Sequence, residues 1–173
     1  MLTGTFRVPL PGVPAWTDQD MVLYHGTTDA HVQDVLNAVD ETKGSLLKDF
    51  GRGFYTTSRL DKALDWAHVK ARRIGGVAAV IEFTVSRNDL ASLDCLFFVR
   101  GDALAVDFWS FVQYCRTIPG DHNRARTAWY DVVVGPVAGT WKRQSIIPDA
   151  DQISFHTPAG VAVLNSSGKV QIL

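Results

Sequence analysis

The chain has 173 residues, with 17 Lys+Arg against 18 Asp+Glu and a formal net charge of −1. Hydrophobic residues make up 46% and charged residues 20%, a mix that excludes a disordered polyampholyte and suits one domain, 1–173. The near-neutral total excludes wholesale coating of nucleic acid or anionic membrane, which takes a clearly basic domain, but it leaves room for a local basic patch.

Two cysteines, Cys95 and Cys115, are too few for a disulfide framework and lack zinc spacing, so both read as buried thiols in a reducing compartment and no metal is expected. The N-terminus lacks a basic head followed by an apolar run, and no stretch approaches the roughly 18 consecutive apolar residues of a membrane span. The expected setting is the cytoplasm, of its own cell or of one into which another system delivers it, with no membrane partner.

Residues 1–20 hold Pro9, Pro11 and Pro14 and read as an extended lead-in. Residues 22–24 are a short apolar run that stops at Gly26, consistent with a strand. Val32, Val35, Leu36 and Val39 then follow helical spacing, with Thr28 or Asp29 as N-cap. After a charged loop, residues 54–57 read as a brief strand of aromatic and β-branched residues. Ser58 with Asp61 resembles a capping box for a helix striped by Leu60, Ala63, Leu64, Ala67 and Ala71 and ended by Gly75-Gly76.

Residues 77–85 and 93–99 are apolar enough for interior strands. Asp102 can cap a third helix with the stripe Leu104, Phe108, Phe111, Val112 and Cys115, stopped by Pro119. Residues 118–128 read as a polar loop, 131–135 as a strand ending in a turn at Pro136, and 152–156 as another strand. Thr157-Pro158 signals an N-cap and first helical residue, and 169–173 closes the chain. The order strand, helix, strand, helix, then mostly strands predicts an α+β fold with much antiparallel pairing.

Phosphate-binding GxxxxGK[ST], HExxH, paired CxxC and GxSxG are all absent. Three segments carry chemistry-bearing residues instead. Tyr24-His25-Gly26-Thr27 sets a histidine at a strand end beside a glycine, where a structural imidazole is the plain alternative. In 50–57, Gly51 and Gly53 flank Arg52 and precede Tyr55; the glycines permit close approach of a ligand and the tyrosine can stack on a flat ring, or the segment is a tight turn feeding a strand. In 151–157, alternation puts Gln152, Ser154 and His156 on one face and Ile153 and Phe155 on the other, a pattern usual for a solvated face.

Together and in this order the segments resemble the His, Tyr and Glu motifs of the ADP-ribosyltransferase superfamily, in the branch of diphtheria toxin and the poly-ADP-ribose polymerases. More closely, the chain resembles an uncharacterised bacterial family with the motifs YHG[ST], DFGxGFYxT, a helix with WA, GPVA and QxxFHT. They stand here at 24–27, 49–57, Trp66-Ala67, 135–138 and 152–157, with Trp109-Ser110-Phe111-Val112 and Arg116 similar to the family's mid-domain helix. The match covers about residues 22–165.

The resemblance implies a split β-sheet with flanking helices gripping NAD⁺ as co-substrate. His25 would bond the adenosine ribose, the Gly26 backbone the nicotinamide carboxamide, and Tyr55 would stack on the nicotinamide ring. Thr27 and Gly53 complete the implied binding segments. Arg52 is a candidate for the pyrophosphate by charge type, against the alternative of a solvated loop cation. Gln152 stands where the superfamily usually has glutamate, so it can orient a ribose hydroxyl but brings no charge and no base. Preorganised charge at such a centre is worth about 3–4 kcal/mol of barrier, which raises Asp151, Asp149 or His156 as substitutes.

The implied activity is NAD-dependent mono-ADP-ribosyl transfer by a bacterial toxin, defence or effector protein, with an antitoxin or immunity protein as partner. The target would be a protein or a nucleic acid; Arg124 and Arg126 make the 117–128 loop locally basic enough to receive the latter. The competing readings are a non-catalytic NAD or ADP-ribose module and an NAD glycohydrolase.

Overall fold

The computed structural model describes residues 19–99, 106–118, 122 and 125–173. The lead-in up to residue 18, the Asp102 cap, Leu104, Pro119 and, in the 118–128 loop, residues 119–121, 123 and Arg124 lie outside these residues, as does the side chain of Arg126.

The fold is α+β, and the described residues form two sheets. The first contains β1 (Met21–Thr28), β3 (Ala78–Val85) and β7 (Gly168–Gln171) in the order β1-β3-β7, with antiparallel pairing throughout. The second contains β2 (Phe54–Thr56), β6 (Ser145–Phe155), β5 (Val132–Thr140) and β4 (Cys95–Phe97) in the order β2-β6-β5-β4. Only β4 against β5 is parallel. The sheets meet at one bridge, where Tyr24 and Thr57 exchange backbone hydrogen bonds of 2.8 and 2.9 Å.

The helices are α1 (Asp29–Asn37), α2 (Leu60–Ile74), α3 (Arg87–Ala91), α4 (Val106–Thr117) and α5 (Pro158–Ser166). The largest core joins Leu23, Ile81 and Phe83 of the first sheet to Ile153 and Phe155 of the second, closed by Val32 of α1 and Leu164 of α5. The other face of the first sheet takes Ala63 and Ala67 of α2 against Val80, small residues that let the helix come close. Phe108, Trp109 and Val112 of α4 pack with Phe50 and Val133 over the other face of the second sheet.

Several expectations are corrected. β1 runs through Gly26 to Thr28 because its pairing with β3 continues. α1 stops at Asn37, before Val39, and Thr28 takes the cap position without a side-chain capping bond. The Ser58–Asp61 capping box does not form: Arg59 occupies the cap position of α2, and the Ser58 hydroxyl donates to Asp151. α2 does end at Gly75, whose φ of 84° suits a residue without Cβ.

β3 is interior to its sheet, but β4 is an edge strand whose Phe97 is 65% exposed. Pro136 makes no turn; β5 carries it, with the register shifting between Pro136 and Ala138, where an irregularity tolerates a residue with no N–H. Cys115 is buried, whereas Cys95 is only half-buried. Thr157 caps α5 as expected, accepting from Gly160 N at 3.1 Å, and Pro158 follows it. Among the described residues no helix is long and apolar enough to cross a membrane.

Candidate functional site

Where the sheets part beyond the Tyr24–Thr57 bridge, a cleft of about 650 Å³ opens. His25, Gly26, Thr27, Gly53, Tyr55 and Gln152 all border it, so residues from three distant segments converge on one cavity. Arg52 does not border it. Its backbone carbonyl accepts instead from His156, so the sequence's candidate for a pyrophosphate contact stands outside the cleft.

His25 is fixed from two sides. Its Nδ1 lies 2.6 Å from the Tyr55 carbonyl, which can only accept, so Nδ1 carries the proton and Nε2 is left as an acceptor. The ring stacks on Phe54 at 4.2 Å between centroids. Burial, reinforced by the nearby Lys70 ammonium, pushes the His25 pKa down to about 3, so the imidazole is neutral at physiological pH.

Gly26 follows Tyr24 by two residues, so strand alternation turns its N–H and C=O to the edge that Tyr24 uses toward Thr57. That edge borders the cleft, and Lys70 Nζ donates to the Gly26 carbonyl at 2.6 Å. The absence of a side chain serves another purpose. A Cβ on Gly26 would come within 2.1 Å of the Ala63 carbonyl, and one on Gly53 within 2.6 Å of the His156 ring, so both glycines are needed for protein packing rather than for a ligand's approach.

Tyr55 is half-buried rather than openly exposed. Its hydroxyl donates to the Gly51 carbonyl at 2.7 Å and accepts from Phe50 N–H at 3.1 Å, which ties the ring to the preceding turn, and burial pushes its pKa well up. Gly51 itself has φ of 79°, the conformation that turn requires.

The polar row of β6 is not solvated: Gln152, Ser154 and His156 are all buried, because α4 and the chain around Phe50 cover that face. His156 bonds Arg52 O at 2.9 Å and Ser154 Oγ at 2.7 Å. The His122 Nε2–H donates to Phe50 O at 2.8 Å, its ring stacked on Trp129 and edge-on to His156. The two histidines thus hold the 50–52 turn, and His156 is committed to structure rather than free to act as a base.

Gln152 Nε2 donates to Asp49 Oδ2 at 2.8 Å and to the Pro136 carbonyl at 2.9 Å. Both amide hydrogens are then used, which leaves Oε1 as the atom offered to the cleft. Asp49 is buried; it also accepts from Ala138 N at 2.8 Å and from Arg116 Nε at 2.9 Å, and pairs with the Arg116 guanidinium. Sequence reasoning took Asp49 only as part of a motif and gave Arg116 no role. Asp49 is 67 residues from Arg116 and 103 from Gln152, so no local spacing could have joined them.

Asp151 turns to the other side of β6, where it accepts from Thr57 Oγ1 and from the Ser58 amide and hydroxyl at the cleft border. Asp149, with φ of 53°, lies away from the cleft, in a smaller hollow beside Arg59 and Pro136. Among the described residues no three His, Cys, Asp or Glu side chains form a group that could hold a metal ion.

Over residues 21–147 the chain matches the model of a family described as Protein of unknown function (DUF3990). It belongs to that family. A search of curated proteins finds no match.

Proposed function

We propose that the protein is an NAD-dependent ADP-ribosyltransferase of the His-Tyr-Glu type, with glutamine in the third place and an ADP-ribosyltransferase-like split sheet. The observation that carries the reading is the His25 Nδ1–H to Tyr55 carbonyl bond, which locks the first and second motifs together at the mouth of a cleft that also holds Gln152. The parting of the two sheets beyond the Tyr24–Thr57 bridge is the architecture such a reading needs.

In this reading the neutral His25 accepts a ribose hydroxyl at Nε2. The cleft-side edge of Gly26 offers one N–H and one C=O to a carboxamide, a donor–acceptor pair that matches a primary amide. The Tyr55 ring supplies an apolar surface for a flat heterocycle. Gln152 Oε1 accepts from the second ribose. The bond that breaks joins nicotinamide to that ribose, and the anomeric carbon passes to a nucleophile of the target.

Gln152 contributes no charge, and the Asp49 carboxylate behind it is balanced by Arg116. The acceptor must therefore be a nucleophile that needs little activation, or one that loses its proton to Asp151 at the cleft border. A bacterial toxin or effector role, with an antitoxin or immunity protein to restrain it, accords with an activity that drains NAD or marks essential macromolecules.

Incubation with NAD⁺ labelled in the adenylate tests the proposal. Label on a protein or nucleic acid, lost in H25A and Y55A, is the expected result. Free ADP-ribose with nicotinamide would replace transfer by hydrolysis, and binding without turnover would leave a recognition module. No binding, or binding untouched by both substitutions, would overturn the reading.

A further inference from the structure

Lys70, from the last turns of α2, reaches the cleft where β1 leaves β2. Its ammonium donates to the Gly26 carbonyl at 2.6 Å and approaches His25 Nε2 at 3.4 Å. Neither partner is charged, and among the described residues Lys70 forms no ion pair.

Lys48 borders the same cleft, near enough for its charge to act on both Lys70 and His25. Three of the four acids around the cleft are engaged elsewhere. Asp49 holds Arg116, Asp151 holds the Thr57–Ser58 corner and Asp40 holds Thr42, leaving Asp34 of α1. Burial lowers the pKa of both lysines, with Lys48 adding to the effect on Lys70, which falls to about 8. Lys70, half-buried, without an ion pair among the described residues and within reach of the Lys48 charge, is held at an electrostatic cost that a bound anion would relieve. The exposed Lys48, which also feels Asp49, lies at the cleft border to share that anion.

We infer that Lys70 and Lys48 form the binding site for a diphosphate, the group that links the two halves of a dinucleotide. Lys70 needs no rearrangement to serve, since an ammonium has three donors and can keep the Gly26 carbonyl while meeting a phosphate oxygen. The lysines take the part that charge type alone assigned to Arg52. The inference rests on the nucleotide reading of the cleft, but the site itself requires only a diphosphate.

Calorimetric titration of the full chain with inorganic pyrophosphate, ADP-ribose and phosphate-free adenosine tests it, using wild type, K70M, K48M and K70R. A charge-assisted contact predicts about tenfold weaker binding of pyrophosphate and ADP-ribose to K70M, a smaller loss in K48M, and substantial recovery in K70R. Adenosine should bind wild type and K70M alike, which also shows that the variant is folded.

Pyrophosphate binding that depends on Lys70, without binding of ADP-ribose, would keep the anion site and remove the ADP-ribosyl reading. K70M that binds ADP-ribose like wild type, or loses adenosine to the same degree, would overturn the assignment. So would wild-type protein that binds neither diphosphate.

Discussion

Gln152 and Asp49 share a buried hydrogen bond of 2.8 Å, running from the amide nitrogen to the carboxylate. This bond decides the outcome of restoring the superfamily's glutamate. In Q152E two carboxylates would meet where one donor and one acceptor now do, and the Pro136 carbonyl would lose its donor too. We expect Q152E to lower stability by about 2–4 kcal/mol and to abolish any ADP-ribosyl transfer rather than raise it. Chemical denaturation and the labelled-NAD⁺ assay check this. D49N/Q152E, in which the new amide can donate to the new carboxylate, should recover at least half of the lost stability.

Arg116 should prove as important as the residues it does not touch. Asp49 is buried and takes the Arg116 guanidinium on one oxygen while Ala138 N–H and Gln152 share the other. R116A would leave that carboxylate facing the interior without its cation, at a cost of about 2–4 kcal/mol, toward the lower end because Arg116 is itself partly exposed. Urea unfolding at neutral pH measures it. R116A/D49A should be less destabilised than the sum of its single variants, since removing both charges removes the mismatch.

Gly26 is a poor position for testing ligand binding and a good one for testing packing. A Cβ there would lie 2.1 Å from the Ala63 carbonyl and 2.9 Å from the Ala67 amide nitrogen, both in α2 backbone that cannot swing aside. G26A is expected to displace α2 and cost about 1–3 kcal/mol or more, whether or not NAD⁺ is present. A melting temperature within a degree or two of wild type would mean that α2 packs on β1 less tightly than described. G75A is the contrasting case: nothing lies within 4 Å of its Cβ, so only the backbone strain of a side chain at φ 84°, ψ 176° should appear, about 1–3 kcal/mol.

Much of the frame was legible locally. The 3.6-residue stripe of α2, the glycines that end it and the Thr157-Pro158 start of α5 are written within a few residues of one another. The α+β class followed from their order. The candidate residues His25, Gly26, Tyr55 and Gln152 were reached through motif order, and they do border one cleft.

What stayed hidden depends on tertiary placement. Alternation in β6 correctly put Gln152, Ser154 and His156 on one face, but nothing local says that α4 will cover it, so a buried polar network reads as a solvated edge. Asp49 is one acid in a charged loop until β5, β6 and α4 surround it. Ser58 was a cap by position, and Asp151, 93 residues away, took its hydroxyl instead. Lys70 sits among the polar residues of an amphipathic helix, and only the approach of α2 to Gly26 turns it into the cleft.

His25 makes a prediction about pH that separates its structural part from any catalytic one. Its pKa in the fold is about 3, held down first by burial and then by Lys70, against about 6.5 for an unfolded histidine. Between those values the unfolded chain binds a proton that the folded one refuses, so protonation favours unfolding. The stability that neutral His25 confers is complete above about pH 6.5 and is lost as pH falls below it, by at most about 1.4 kcal/mol per unit. Glutamine at the same place can still donate to the Tyr55 carbonyl but does not titrate. Between pH 6.5 and 5, stability should therefore fall more steeply in wild type than in H25Q, measured by denaturant midpoints across the range. Parallel slopes would mean that the imidazole is solvated enough to accept its proton in the fold. Ribose binding, which needs only the lone pair on Nε2, should in contrast show no His25-dependent transition between pH 6 and 8.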